Sequence, residues 1–179
     1  MFLSVFDMFK VGVGPSSSHT MGPMVAAARF LDTMRASPFE FHGVRGSLHG
    51  SLAFTGVGHA TDRATILGLA GFLPDSYDHA KAETALEHIR ETETVQPDGL
   101  PILKFNPRED LKFDFGPNLP GHANGMILMA TDAQGDVILQ ETYYSIGGGF
   151  ILTEAELADG KATDEGAPVP YPFKSAVEM

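Results

Sequence analysis

The 179-residue sequence predicts an α+β fold, a mostly antiparallel sheet with helices packed on it. Three observations carry that expectation. An apolar stripe of helical period fills residues 21 to 35, an alternating stretch runs from Val44 to Phe54, and strand-like runs dominate after residue 93. The resulting order, helix, strand, helix, helix and then several strands, suits one sheet covered by helices.

In the first element Met21, Met24, Val25, Ala28 and Leu31 recur at the spacing of one helix face, and Pro23 fits the first turn. Between Val44 and Phe54 the period drops to two. Val44, Leu48, Leu52 and Phe54 share one face, with Arg45, Ser47, His49 and Ser51 on the other, the pattern of a half-buried strand. "GVGHATDRATILGLAGF" then passes from a glycine-rich loop into a helix, with His59 closing the strand, Thr61 or Asp62 as N-cap and Gly71 near the end. A third helix is expected from Asp78 to Thr92 on the stripe Ala82, Ala85, Leu86 and Ile89. Residues 93–123 mix short strand-like pieces with prolines. "GMILMATDAQGDVILQETYYSIGGGF" reads as two strands joined at "TDAQGD", the first apolar enough on both faces to be central. Residues 1–160 are thus expected to form one domain, and residues 161–179, acidic and proline-rich, a linker.

Composition narrows the function. With 43% apolar residues the chain can bury a core, and a net charge of −11, from 23 acids against 12 bases, argues against nucleic acid or an anionic membrane as partner. No cysteine is present, hence no disulfide and no thiolate for a metal cluster or covalent catalysis. Asp7 and Lys10 interrupt the apolar N-terminus, and no run reaches the roughly 18 apolar residues of a membrane span, so a soluble, cytoplasmic protein is expected.

Four stretches carry candidate chemistry. "PSSSHT" sets Ser16, Ser17, Ser18, His19 and Thr20 immediately before a helix. One hydroxyl suffices as a cap, whereas several hydroxyls beside free amides and roughly half a positive charge make a socket for a carboxylate or phosphate. Spacing alone leaves both readings open. "GHATD" places His59 two residues before Thr61, flanked by Gly56 and Gly58, so that an imidazole able to accept a proton can approach a ligand closely while Thr61 orients the ring. "PGHANGM" offers His122 and Asn124 ahead of the central strand, where the alternative is an Asn-Gly turn. Gly147, Gly148 and Gly149 form either a flexible bulge or a close passage of backbone beside a ligand. Among the other histidines, His42, His79 and His88 read as solvated and His49 is ambiguous. A dinucleotide fingerprint at "GVGPSS" with Asp32 fails for want of a preceding strand and a third glycine, and Ser17, His59 and Asp62 lack the nucleophile elbow of a hydrolase. No histidine pair has the spacing of a helical zinc site.

Together "SVFDMFKVGVGPSSSHTMGPM", "GSLAFTGVGHATDRATILGLAG", "PGHANGM", "TYYSIGGGF" and "VPYPFKSA" closely resemble the N-terminal beta part of the iron-sulfur-dependent bacterial L-serine dehydratases, or L-serine ammonia-lyases. The resemblance runs from residue 2 to about residue 177. It implies a fold similar to the serine-binding regulatory domain of some phosphoglycerate dehydrogenases. It also implies L-serine as substrate, pyruvate and ammonia as products, and an alpha part whose cysteines hold a [4Fe-4S] cluster that acts as Lewis acid on the serine hydroxyl. By the same resemblance His59 is the base that removes the Cα proton and Thr61 holds or tunes it. Ser16 to Thr20 contact the substrate's charged ends, His122 and Asn124 lie near the cluster, and these two with the three glycines line the pocket or the domain interface. Position 60, alanine here, departs from many members. The chain then reads as one domain of a larger enzyme, inactive alone and binding no cluster itself, and a homo-oligomer is expected. A binding or regulatory domain that holds serine or a hydroxy acid without chemistry is the alternative.

Overall fold

The computed structural model describes residues 13–159, so the expected linker at 161–179 and the apolar N-terminal run at 1–12 lie outside the described residues. The fold is α+β as expected. Helix α1 (Met21–Ala36) is followed by β1 (Gly43–Gly50) and three helical segments in succession, α2 (Ser51–Phe54), α3 (Gly56–His59) and α4 (Thr61–Leu69). A 3₁₀ turn at Pro74–Ser76 leads to α5 (His79–Thr92). Short strands β2 (Thr94–Val95), β3 (Leu103–Lys104) and β4 (Leu111–Asp114) precede the long β5 (Asn124–Thr131) and β6 (Val137–Gly147), then β7 (Phe150–Thr153) and α6 (Glu154–Ala158). No helix among the described residues is long and apolar enough to cross a membrane.

The seven strands form one sheet in the order β2-β3-β1-β5-β6-β7, with β4 also paired to β1. It is mixed where the sequence suggests mostly antiparallel pairing. β1 runs antiparallel to β5 over its whole length, while β3 and then β4 lie parallel to its other edge. β5 is central as expected, flanked by β1 and β6 and burying Met126, Leu128 and Ala130.

Helices α1 and α4 cover the sheet. Met24, Ala27, Phe30, Leu31 and Met34 of α1 meet Leu67 and Leu69 of α4 in one core with Leu48, Leu52 and Tyr143. Each fully buried side chain of this size contributes about 1.5–3 kcal/mol through apolar area removed from water. The two helices touch at Gly68, where an added Cβ would stand 2.4 Å from the Met24 carbonyl oxygen and 2.7 Å from Ala27 Cβ.

Two boundaries differ from the sequence reading. The expected strand to Phe54 ends at Gly50, whose φ of 55° and ψ of −128° turn the chain, and whose Cβ position lies 2.3 Å from the Ala123 carbonyl oxygen. Only glycine takes that corner. Leu52 is buried from a helical turn rather than a strand, and Phe54, expected inside, is 63% exposed. For the same reason His59 closes a helical turn instead of a strand. The N-cap of α4 is Ala60, in the left-handed region at φ 59°, with no capping side chain, in place of Thr61 or Asp62. The third helix begins as expected, with Asp78 accepting a hydrogen bond from the Lys81 amide at 3.1 Å.

Helix α6 is tied to α1 electrostatically. Thr153 and Glu156 form a capping box, and Arg29 grips the Glu156 carboxylate with two hydrogen bonds of 2.6 and 3.0 Å. The Arg29 bonds, helped by the Thr153 amide and hydroxyl, pull the Glu156 carboxyl from 4.5 down to about 2. A carboxyl that is more acidic in the folded state stabilises the fold fully above pH about 4.5 and loses that contribution as pH falls toward 2. Both side chains are a third or more exposed, so solvent screening keeps the contribution on the order of 1 kcal/mol. Denaturant titrations between pH 5 and pH 2 are expected to show this loss in the parent chain and a smaller one in Glu156→Gln; equal slopes would remove the pair from the account.

Candidate active site

The loop before α1, the ends of β1, β5 and β6, and the corner between α3 and α4 meet at one end of the sheet. Gly50 of β1 pairs with Asn124 of β5, and Gly125 with Tyr144 of β6, so the residues just beyond each pair share an edge.

The serine loop is a turn with its own order. Thr20 Oγ1 donates to the Ser16 carbonyl at 2.7 Å, and the Gly22 amide donates to the Ser17 carbonyl at 3.0 Å, which launches α1. Thr20 therefore closes the loop and leaves α1 without a side-chain cap. His19 is buried. Its Nδ1 lies 3.0 Å from Ser18 Oγ and 3.3 Å from Ser16 Oγ, and its Nε2 3.0 Å from Ser51 Oγ. Burial first, and the neighbouring His59 second, lower the His19 pKa, which keeps its ring neutral near pH 7. Ser17 is differently engaged: its Oγ accepts from the Gly148 amide at 3.3 Å, so its own proton is unspent.

His59 faces this loop. Its ring centroid lies 4.8 Å from that of His19, and its Nδ1 is 2.8 Å from the Thr55 carbonyl oxygen. A carbonyl only accepts, so Nδ1 carries a hydrogen, and Nε2, the proton acceptor of the neutral ring, has no hydrogen-bond partner among the described residues. Thr61 does not orient this ring. It is fully buried, and its Oγ1 has no hydrogen-bond partner among the described residues. The group that fixes the ring is the Thr55 carbonyl, one helical turn earlier.

The remaining sequence candidates border the same edge. Asn124 Nδ2 donates to the Ser145 carbonyl at 3.1 Å, and His122 turns its Nδ1 back to accept from the Asn124 amide at 3.1 Å. Ala123, between them, accepts from the Ser51 amide at 2.8 Å, which links this stretch to the His19 partner. Gly147, Gly148 and Gly149 all have positive φ (99°, 62° and 82°), and the last two make the tight turn from β6 to β7. A register shift lies between Ser145 and Gly147, and the turn touches the serine loop through the Gly148 amide.

Ser51 and the Thr55 carbonyl were not legible as site groups. Ser51 falls on the polar face of an apparent strand, and a backbone carbonyl leaves no mark in a sequence. His49, ambiguous by sequence, is buried with its Nε2 2.8 Å from Ser47 Oγ.

A [4Fe-4S] cluster needs thiolate ligands, and these residues do not supply them: the chain has no cysteine, and among the described residues no three His, Asp or Glu side chains converge to hold a metal ion. The arrangement offers instead a held imidazole with one unpartnered nitrogen, a neutral buried ring beside it, and a donor hydroxyl in the loop before a helix.

The family described as serine dehydratase beta chain matches residues 4–156. The L-serine dehydratase of Helicobacter pylori strain J99 is 41% identical over 176 residues, which cover 98% of this chain and 38% of that protein. The L-serine dehydratase of Haemophilus influenzae is 43% identical over 180 residues, 99% of this chain and 39% of the relative. L-serine dehydratase 1 of Escherichia coli is 42% identical over 180 residues, again 99% and 39%. The chain thus spans about two-fifths of the length of these relatives.

Proposed function

The chain belongs to the serine dehydratase beta chain family, and on that premise we propose that it is the beta part of an L-serine ammonia-lyase that converts L-serine to pyruvate and ammonia. The observation that carries this reading is His59, with Nδ1 bonded to the Thr55 carbonyl and Nε2 open, beside a serine loop at a helix start. His59 Nε2 takes the Cα proton. The substrate carboxylate sits at the serine loop ahead of α1, where Ser17 has a proton to donate and the helix dipole favours negative charge. That placement also stabilises the charge that builds beside the carboxylate as the proton leaves. Neutral His19 gives His59 room to become an imidazolium, since two charged rings 4.8 Å apart would repel.

An amino-acid Cα proton is too weakly acidic for imidazole alone, so the leaving hydroxide needs activation by a Lewis acid. These residues provide none, and the resemblance assigns that part to a [4Fe-4S] cluster in the alpha part. The alpha part and L-serine are therefore this chain's proposed partners. Pyruvate release from L-serine is expected from this chain combined anaerobically with the alpha part and from neither alone. The alternative reading, a serine-binding domain without chemistry, predicts saturable calorimetric binding of L-serine to this chain alone and no dependence of turnover on it.

A further inference from the structure

We infer that the exposed apolar face formed by Phe54, Val57 and Phe115 is the docking surface for the alpha part of the complete enzyme, an inference that rests on the assignment of His59 above. The three residues are 63%, 73% and 60% exposed. They are not scattered. Phe54 and Phe115 stack edge to face with ring centroids 5.5 Å apart, and Val57 belongs to the next helical turn, Gly56–His59, whose last residue is the base. Beneath them Phe113 lies where a Cβ on Gly56 would fall, at 2.6 Å, which fixes β4 against α3. Above Gly58 nothing stands within 4 Å of its Cβ position, so the face is open beside the base.

Geometry then chooses the occupant. Cα deprotonation and loss of the β-hydroxyl happen on one three-carbon substrate, so the group that takes the hydroxyl must stand within a serine's length of His59 Nε2. This chain holds no candidate for that group among its described residues, and it spans only 38–39% of the relatives compared above. Whatever carries the missing group must press on the surface around His59. That surface is apolar on the α2–α3 side, so covering it buries aromatic area and expels water from the reacting atoms at once. Other exposed apolar residues, Phe39 at 53% and Ile102 at 59%, lie toward the opposite end of the sheet, where β3 meets the start of β1 at Gly43. They cannot serve the same contact.

The test measures assembly apart from chemistry. The alpha part, produced anaerobically, is titrated onto this chain carrying Phe54→Ser with Phe115→Ser, or Val57→Lys, and onto Phe39→Ser with Ile102→Ser. The first two are expected to weaken association about thirty-fold or more with unchanged thermal melts, and the last to leave it unchanged. Hydrogen exchange at residues 54–59 and 113–116 is expected to slow only when the alpha part is added. Equal affinities for all variants, or protection of these segments already in the isolated chain by residues 1–12 or by a second copy, would overturn the inference. Neither result bears on His59 as base: a His59→Ala chain should still associate normally, and turnover retained by that variant would refute the base while leaving the docking face intact.

Discussion

His59→Ala in the complete enzyme is expected to lower kcat for L-serine by about 10²- to 10⁴-fold, the range that a positioned general base supplies. KM should change little, because the carboxylate is held by the serine loop and the start of α1 rather than by the imidazole. The fold should tolerate the change: the ring is half-buried at the end of α3, and its hydrogen bond to the Thr55 carbonyl can be replaced by water. Steady-state kinetics with a matched thermal melt separate the outcomes. A fall in kcat with an unchanged melt assigns the base; a rise in KM alone would move His59 to substrate binding.

Gly68→Ala is expected to destabilise the chain by about 2 kcal/mol. The new methyl would meet the Met24 carbonyl oxygen at 2.4 Å and Ala27 Cβ at 2.7 Å, and one of the two is backbone, so no rotamer change relieves it. Overpacking of this kind costs about 1–3 kcal/mol, occasionally more, against which alanine regains up to about 1 kcal/mol of helix propensity. For a chain of this size the balance lowers the melting temperature by about 4–8 °C. Function should suffer as well. Met24 is in the first turn of α1, directly after the serine loop, while α4 begins two residues after His59, past Ala60's left-handed corner. Parting the helices parts the carboxylate socket from the base, and misplacement near 1 Å can cost up to about 10²-fold in rate. Calorimetry and kcat on the same variant check both; an unchanged melt would mean that α1 and α4 separate freely.

The parts of the fold that were legible in sequence are those with long, unbroken periods. Helix α1, helix α5 with its Asp78 cap, and the β5–β6 hairpin each repeat a pattern over eight or more residues, enough for one face to be told from the other. The break at Gly50 was hidden because Leu52 and Phe54 continue the alternation of β1 by coincidence, one from a helical turn and one from the surface. Strands of two to four residues carry no period at all, which is why the parallel pairing of β3 and β4 along β1 could not be foreseen. At the site, His59 and the serine loop stood out as clusters of reactive side chains. Their supports did not: Ser51 is one hydroxyl among many, and the Thr55 carbonyl belongs to the backbone. Thr61, credited by resemblance with holding the base, proves to be a buried residue whose hydroxyl makes no bond to it.

The most direct test of the central claim uses L-serine deuterated at Cα. If His59 Nε2 removes that proton, the residual turnover of His59→Ala in the complete enzyme should be limited by Cα–H cleavage and show a primary isotope effect at least as large as that of the parent enzyme. A His59→Ala enzyme that turns over L-serine at nearly the parent rate, with no isotope effect, would contradict the assignment.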